Sequence, residues 1–488
     1  MVMARSAEDI WALFEARKTR VDPWVARATE IRDLYMGDMI LPLPERDTAE
    51  QPATANILRQ GLEGRANRIA SYLPTTTFPP RRAGFKGHEA DARDRAAIVQ
   101  SWWDDNRMAL LMHKRSRHLI GYASAPVVLR PDFAGDGKPR WYVRDPLTTL
   151  PPETEPGEIH PSDCIFAYRK PYGWLRSRYG DRLSGLVVSR DRNGRPIDDD
   201  LYQCVEYVDA NEWVLLVGGR ATDMAHSGSL TDVRVGNIEL ERVENRTGIC
   251  PAVVPGRVTL DGPISEFDGM VGMFQQQAKL MALELLGMER AVFPEVWLVA
   301  RAGEQAKIVT GADSLLGQVG KVEGGALQTI DINPSFFAHN VQDRLERNQR
   351  LQGGVPAEFG GESASNVRTG RRGADILSAA IDPSIGAAQI LFQESLQVEN
   401  RIAIAIDKTY FDHQKQVWVS FARGEIAYRP SDLWADDRNR VRYAMTGVDQ
   451  DGLVIEGLQR VGAGTLSRNA FMSIDPLVED AEQMGDEI

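Results

Sequence analysis

Hydrophobic positions in the first part of the chain repeat at helical spacing. Ile10, Leu13, Phe14, Val21, Trp24, Val25 and Ile31 lie roughly three to four residues or multiples apart, which predicts a helix over residues 7–36. A second helix is expected from Asn56 to Leu73, stopped by Pro74, and Pro79 and Pro80 then begin a loop. Ala90 to Ile120 reads as a third helix, with Trp102 and Trp103 near its middle. The pattern then shifts toward strands. Ala125–Arg130 and Arg140–Arg144 predict paired strands joined by a Gly-Asp-Gly turn at 135–137. Cys164–Tyr168, Gln203–Tyr207 and Glu212–Val217 follow as strands, the last closed by Gly218 and Gly219 as a turn. Residues 121–260 are thus read as mostly β.

A long helix is predicted to begin near Ile264, where Ser265 and Asp268 resemble a capping box. Phe267, Met270, Phe274, Met281, Leu285 and Met288 mark its apolar stripe, and a Met- and Leu-rich stripe normally means packing. About 25 residues at 1.5 Å each give a rod of roughly 40 Å, ended by Pro294. Residues 295–335 read as a compact β-rich insert, with strands at 296–299, 307–310 and 327–332 and glycines at its turns. A shorter helix over 337–352 carries Arg344, Arg347 and Arg350 at three-residue spacing. Residues 353–373 are rich in glycine and small polar residues and are the most loop-like stretch of the chain. Helix resumes after it, is interrupted at Asp382-Pro383, and continues to about Tyr410, since proline fits the first turn of a helix. Short strands (417–421 and 426–428), a final helical stretch and an acidic terminus complete the pattern.

At 488 residues the chain is too long for one compact core and should form two to four structural units. Its composition, 43% hydrophobic and 26% charged, is that of an ordinary globular protein and argues against wholesale disorder. The net charge of −12 is opposite to that of a protein that grips nucleic acid by neutralising phosphates. A DNA partner would be repelled on average and touched only locally, which suits a conduit better than a clamp. Cys164, Cys204 and Cys250 are odd in number and far apart, so neither a disulfide framework nor a zinc site is expected. No run reaches the roughly 18 apolar residues of a membrane span, and the N-terminus lacks a signal core. A soluble protein made in the cytoplasm is the expectation.

Catalytic signatures are missing. There is no P-loop, since Gly137-Lys138 and Gly320-Lys321 lack the earlier glycine. Strand-linked GxGxxG, HExxH and GxSxG are also absent. The seven histidines are scattered, and only His113 and His118 lie close, at a spacing that shares a helical face poorly. Asp198-Asp-Asp200 could hold a metal but reads better as a solvated hairpin turn. The expectation is no enzyme, no cofactor and no metal.

The order of segments is more informative. A long helix, a β-rich insert and a second helix, then a glycine-rich loop and another long helix, resemble the portal proteins of tailed bacteriophages. Local stretches resemble that family in the same order. Tyr35-Met-Gly-Asp38 follows the first helix, and Asn56 opens the next. Gly121–Asp132 leads into the first hairpin, and Arg144–Pro152 carries a proline turn at a strand end. Gly248–Val254, with Cys250-Pro251, precedes the long helix. Gly464–Arg468 and Asp475–Asp480 close the chain.

The resemblance implies a multi-domain α+β fold. Its parts would be an N-terminal wing (1–262), a first stem helix (263–292), a β-rich clip (293–336) and a second stem helix (337–352). A tunnel loop (353–370), a wing long helix with a β region (371–460) and a short crown or C-terminal tail (461–488) would follow. It implies a homo-oligomeric ring, usually a 12-mer, at one capsid vertex of the virion, through which double-stranded DNA enters at packaging and leaves at ejection. The implied partners are the terminase large subunit, a head–tail adaptor, the major capsid protein and scaffold, with no membrane. Arg344, Arg347, Arg350, Arg368, Arg371 and Arg372 become candidates for touching DNA. For the first three the competing reading is salt bridging to Glu284 and Glu289 of a neighbouring subunit, and for the last three pairing with wing carboxylates. Gly353, Gly354, Val355, Pro356, Gly360 and Gly361 belong to the tunnel loop, and Trp297, Leu315 and Leu316 to the docking face of the clip. Another phage head or tail protein is the alternative, with an unrecognised hydrolase or nuclease behind it.

Overall fold

In the computed structural model, the described residues are 5–38, 57–81, 85–220 (save 136, 154–156, 187, 191 and 193), 237–292 (save 258, 260 and 261), the strands and one turn within 296–329, 336–353, 383–419, 424–443 and 450–472. Of the described residues, 51% are helical and 22% lie in strands, an α+β protein with several small sheets. The chain divides into two compact units, each assembled from separated segments. One comprises 1–32, 62–268 and 363–488; the other comprises 33–61 and 269–362.

Helix α1 (Ala7–Met36) runs uninterrupted through Pro23. Ser6 and Asp9 cap it reciprocally: the Asp9 amide donates to the Ser6 hydroxyl, and the Ser6 amide to the Asp9 carboxylate. Helix α2 (Ile57–Ala70) and strand β1 (Thr75–Thr77) follow. The single helix expected over 90–120 is two helices, α3 (Lys86–Asp105) and α4 (Met108–Tyr122). Arg107 between them is left-handed, with φ of 52°. Asn106 holds the break: its side chain donates to the carbonyls of Trp102 and Pro139 and accepts from the Trp141 amide. A helical apolar pattern continued through this corner because both helices bury residues, and the contacts that bend the chain are distant in sequence.

Strands β2 (Val127–Asp132) and β3 (Lys138–Val143) pair antiparallel as expected. Strands β4 (Thr149–Leu150) and β5 (Asp163–Pro171) are followed by a short helix α5 (Tyr172–Tyr179) that the pattern did not announce. Then come β6 (Leu201–Asp209), β7 (Glu212–Arg220), β8 (Ile238–Glu244) and β9 (Ala252–Val253). Strands β4 to β8 form a five-stranded antiparallel sheet in sequence order, and β3, β2 and β9 form a three-stranded one. Gly218 and Gly219, expected as a turn, lie within β7. A β-carbon on Gly218 would fall 2.6 Å from the indole of Trp11, so the glycine there permits a close approach of α1 to the strand.

Alternation along β5 and β6 divides the five-stranded sheet into two buried faces. Ile165, Ala167, Val205 and Tyr207 pack with Val214 and Leu216 beneath Ile10 and Phe14 of α1. Cys164, Phe166 and Val208 turn the other way and pack with Val128, Cys250 and Ala252 of the three-stranded sheet's neighbourhood. The three cysteines are free and buried, and burial pushes their thiols up, to about 12 for Cys204 and Cys250.

In the second unit, helix α6 (Asp268–Val292) buries Met270, Val271, Phe274 and Ala278 at helical spacing. The Ser265–Asp268 pair acts at its entrance: the Ser265 hydroxyl accepts from the Phe267 amide, and the Asp268 carboxylate bonds the Ser265 backbone. Beyond α6 come β10 (Val296–Ala300), β11 (Lys307–Val309), β12 (Asp313–Ser314), β13 (Gly317–Gln318), β14 (Lys321–Glu323) and β15 (Gly325–Thr329). Their pairing is nested: β10 with β15, β11 with β14, β12 with β13, all antiparallel. The insert is therefore one ribbon folded back on itself, entered from α6 and left into α7 (Phe336–Gly353).

Back in the first unit, α8 (Pro383–Tyr410) starts at the proline that predicts it. It packs on β2 and β3. Strands β16 (Lys415–Val419) and β17 (Gly424–Tyr428) form a hairpin. A single-turn helix α9 (Pro430–Leu433) and strand β18 (Arg440–Arg442) follow, and β18 pairs with β1 across most of the sequence. Helices α10 (Gln450–Gly462) and α11 (Arg468–Met472) end the described chain.

Two buried polar clusters fix α8. Arg115, wholly buried, makes a forked pair with Glu399 at 2.6 and 3.1 Å and also donates to Ser395, while the indole of Trp141 donates to the same carboxylate. Farther along, Asp407 accepts from Lys415, Tyr428 and the Trp434 indole. Burial pushes the Asp407 carboxyl up, against the opposing pull of Lys415. Among the described residues no helix is long and apolar enough to cross a membrane.

Candidate functional site

Three of the arginines singled out for nucleic-acid contact, Arg344, Arg347 and Arg350, sit on α7. Successive positions lie about 4.5 Å apart along the axis and turn by roughly 60°, so the three arginines share one broad face. Arg344 and Arg347 are exposed. Arg350 is half-buried and held at 2.8 Å by Glu346, one helical turn earlier in the same helix. The opposite side of α7 buries Gln349, neither of whose amide atoms has a hydrogen-bond partner among the described residues. Two cations therefore face outward, and the third is partly neutralised by its own helix. Such a face offers phosphate contacts of the weak, solvent-exposed kind, each screened within about 8 Å at physiological salt.

Trp297 lies on β10 opposite Gln328. Gly353 is the last residue of α7. Leu315, Leu316, Gly354, Val355, Pro356, Gly360, Gly361, Arg368, Arg371 and Arg372 fall outside the described residues. Glu284 and Glu289, the alternative partners of the arginines, lie on α6. Apolar residues also face outward in this unit: Leu283 on α6 is 50% exposed and Val341 on α7 is 43% exposed. Exposed aliphatics on a helix pair are the kind of surface that a second protein surface covers.

A second constellation was not anticipated. In the first unit, a cleft of about 510 Å³ opens over one face of the five-stranded sheet. Cross-strand register lines its floor with the row Phe166, Glu206, Leu215 and Glu241. Glu206 is buried and is shared by two guanidinium groups, Arg130 from β2 and Arg144 just past β3. Arg130 also lies 4.7 Å from the Trp213 ring, and Arg144 lies 5.1 Å from Phe166. Burial lowers both guanidinium pKa values, with that of Arg144 brought down to about 10, and pushes the Tyr168 phenol up to about 12. At the rim, Lys170 and Arg178 stand 4.9 and 5.7 Å from the Trp174 ring. The sequence signal for this rim is the run Lys170–Tyr179, in which cations alternate with aromatics.

Among the described residues no three His, Cys, Asp or Glu side chains converge as metal ligands. His118 is half-buried, and desolvation lowers its pKa to about 4. Asp198 pairs with Arg176 at 3.2 Å on the surface. In comparison with known proteins, the chain matches no family model, and no curated protein shows significant similarity to it.

Proposed function

We propose that this chain is the portal subunit of a tailed bacteriophage. It would assemble into a ring at one capsid vertex of the virion, conduct double-stranded DNA, and serve as docking platform for terminase and head–tail adaptors. In this reading it is not an enzyme; the terminase supplies the energy. The observation that carries the proposal is the sequence of elements in the second unit. A 25-residue helix leads into one doubled-back antiparallel ribbon and out through an 18-residue helix. Such an element presents a ribbon tip at the end of two helices, a shape suited to docking. Repeated around a ring, it gives a closed set of identical head-to-tail contacts.

The charge balance supports the same reading. A chain of net charge −12 gives DNA no deep electrostatic well, while exposed Arg344 and Arg347 supply weak local phosphate contacts. The glycine-rich stretch 353–370 then supplies the tunnel loop, with glycine allowing varied backbone angles beside a moving polyanion. Deleting residues 355–365 tests the proposal. The deletion is expected to leave ring assembly intact and to impair DNA packaging or retention in particles. A deletion variant that no longer assembles, or that packages DNA normally, contradicts the loop's role.

A further inference from the structure

The cleft over the five-stranded sheet is short of negative charge. Two half-buried arginines share one buried carboxylate, Glu206, and the Nε of each is shielded from solvent without a hydrogen-bond partner among the described residues. A cation drawn partly out of water without a full counter-charge is disfavoured, and desolvation lowers the pKa of both guanidinium groups. Around the whole cleft five Lys and Arg stand against three carboxylates, Asp145, Glu206 and Glu241. Lys170 and Arg178 have no carboxylate partner among the described residues and rest on the Trp174 ring. In a chain of net charge −12 this is a local reversal of sign.

The occupant that fits is anionic, with some apolar surface to meet the half-exposed Val243 and Tyr142 at the mouth. A stacked nucleobase fits less well, because Trp174, Trp213 and Tyr142 each already carry a cation near the ring. A carboxylate-rich peptide needs no free ring face. The chain carries such a segment itself. Residues 473–488, SIDPLVEDAEQMGDEI, hold six carboxylate side chains and no Lys or Arg, interspersed with Ile474, Leu477, Val478 and Met484. This segment lies outside the described residues and is joined to the same unit of the fold as the cleft.

We propose that the cleft is a binding site for an acidic peptide and that its occupant is the segment 473–488, from the same chain or from a second copy. Its carboxylates complete the charge around Arg130 and Arg144 and pair with Lys170 and Arg178 at the rim. The proposal stands independently of the portal reading, since it concerns one subunit's cleft and one tail.

Hydrogen–deuterium exchange of the full chain tests it. The variant carries Lys170→Glu and Arg178→Glu, two rim changes that leave the Arg130–Glu206–Arg144 cluster in place. The expected result is that amides of 473–488 exchange at least tenfold more slowly in the unmodified chain than in the variant at low salt. The difference should shrink toward nothing near 1 M salt, where screening acts within about 3 Å. Reversing the tail (Glu479→Lys, Asp480→Lys, Glu482→Lys) should also remove protection, and combining both sets should restore part of it. Protection that falls on dilution assigns the tail to a second copy, and protection that does not assigns it to the same chain; both support the site. Equal exchange of the tail in the unmodified chain and the rim variant overturns the proposal. So does a single-stranded oligonucleotide that binds the unmodified cleft more tightly than a synthetic 473–488 peptide binds the chain truncated after Met472.

Discussion

Glu399 shows how much can depend on one side chain. It accepts from Arg115, Ser395 and the Trp141 indole at a site closed to water. Glu399→Ala leaves Arg115 charged, buried and unpaired, so a loss of about 3–5 kcal/mol is expected, read as a lower urea midpoint. His118 gives a pH signature. Its pKa is lowered in the fold from 6.5 to about 4, chiefly by desolvation and then by Lys114. The unfolded chain therefore takes up a proton first as pH falls. His118 contributes stability that is full above about 6.5 and is lost as pH drops toward 4, at most about 3 kcal/mol. His118→Gln should flatten the stability profile between pH 6.5 and 5, where carboxylates still titrate little. An unchanged slope would place the histidine in a more solvated setting than the geometry gives it.

Elements were legible where the pattern was local. Helix α1 and the antiparallel strands β2, β3, β5, β6 and β7 follow from periodicity alone, and Pro383 marks the start of α8. Features set by distant contacts were not legible. The break at Asn106 depends on Pro139 and Trp141, and β1 finds its partner β18 more than 360 residues away. Gly218 read as a turn because glycine pairs usually are, whereas its role is to admit the Trp11 indole. Gly218→Val should therefore displace α1 from the sheet and lower the melting temperature by several degrees. Gly64→Ala, at a helical site with open space around it, should not destabilise and is the matched control. The nested ribbon was legible as β structure with glycine turns; its fold-back pairing was not, since its six strands are only two to five residues long, too few for a period. The cleft escaped notice for a similar reason. Only its rim is a contiguous run, while Arg130, Arg144 and Glu206 meet through strand register.

At the scale of the whole molecule the account rests on assembly. One chain offers exposed aliphatic residues on α6 and α7, outward-facing Arg344 and Arg347, and a ribbon carried between two helices. In the proposed ring these features would share one purpose, repeated around an axis. Acidic charge would then keep DNA from adhering to the walls, and a few basic groups would touch it in passing. The direct test is negative-stain electron microscopy of the purified full chain, with the particle mass measured on the same sample. The account predicts a ring with a central channel, of about 0.65 MDa for twelve copies of the 54.2 kDa chain. A 54.2 kDa monomer, or a closed particle with no channel, would contradict it.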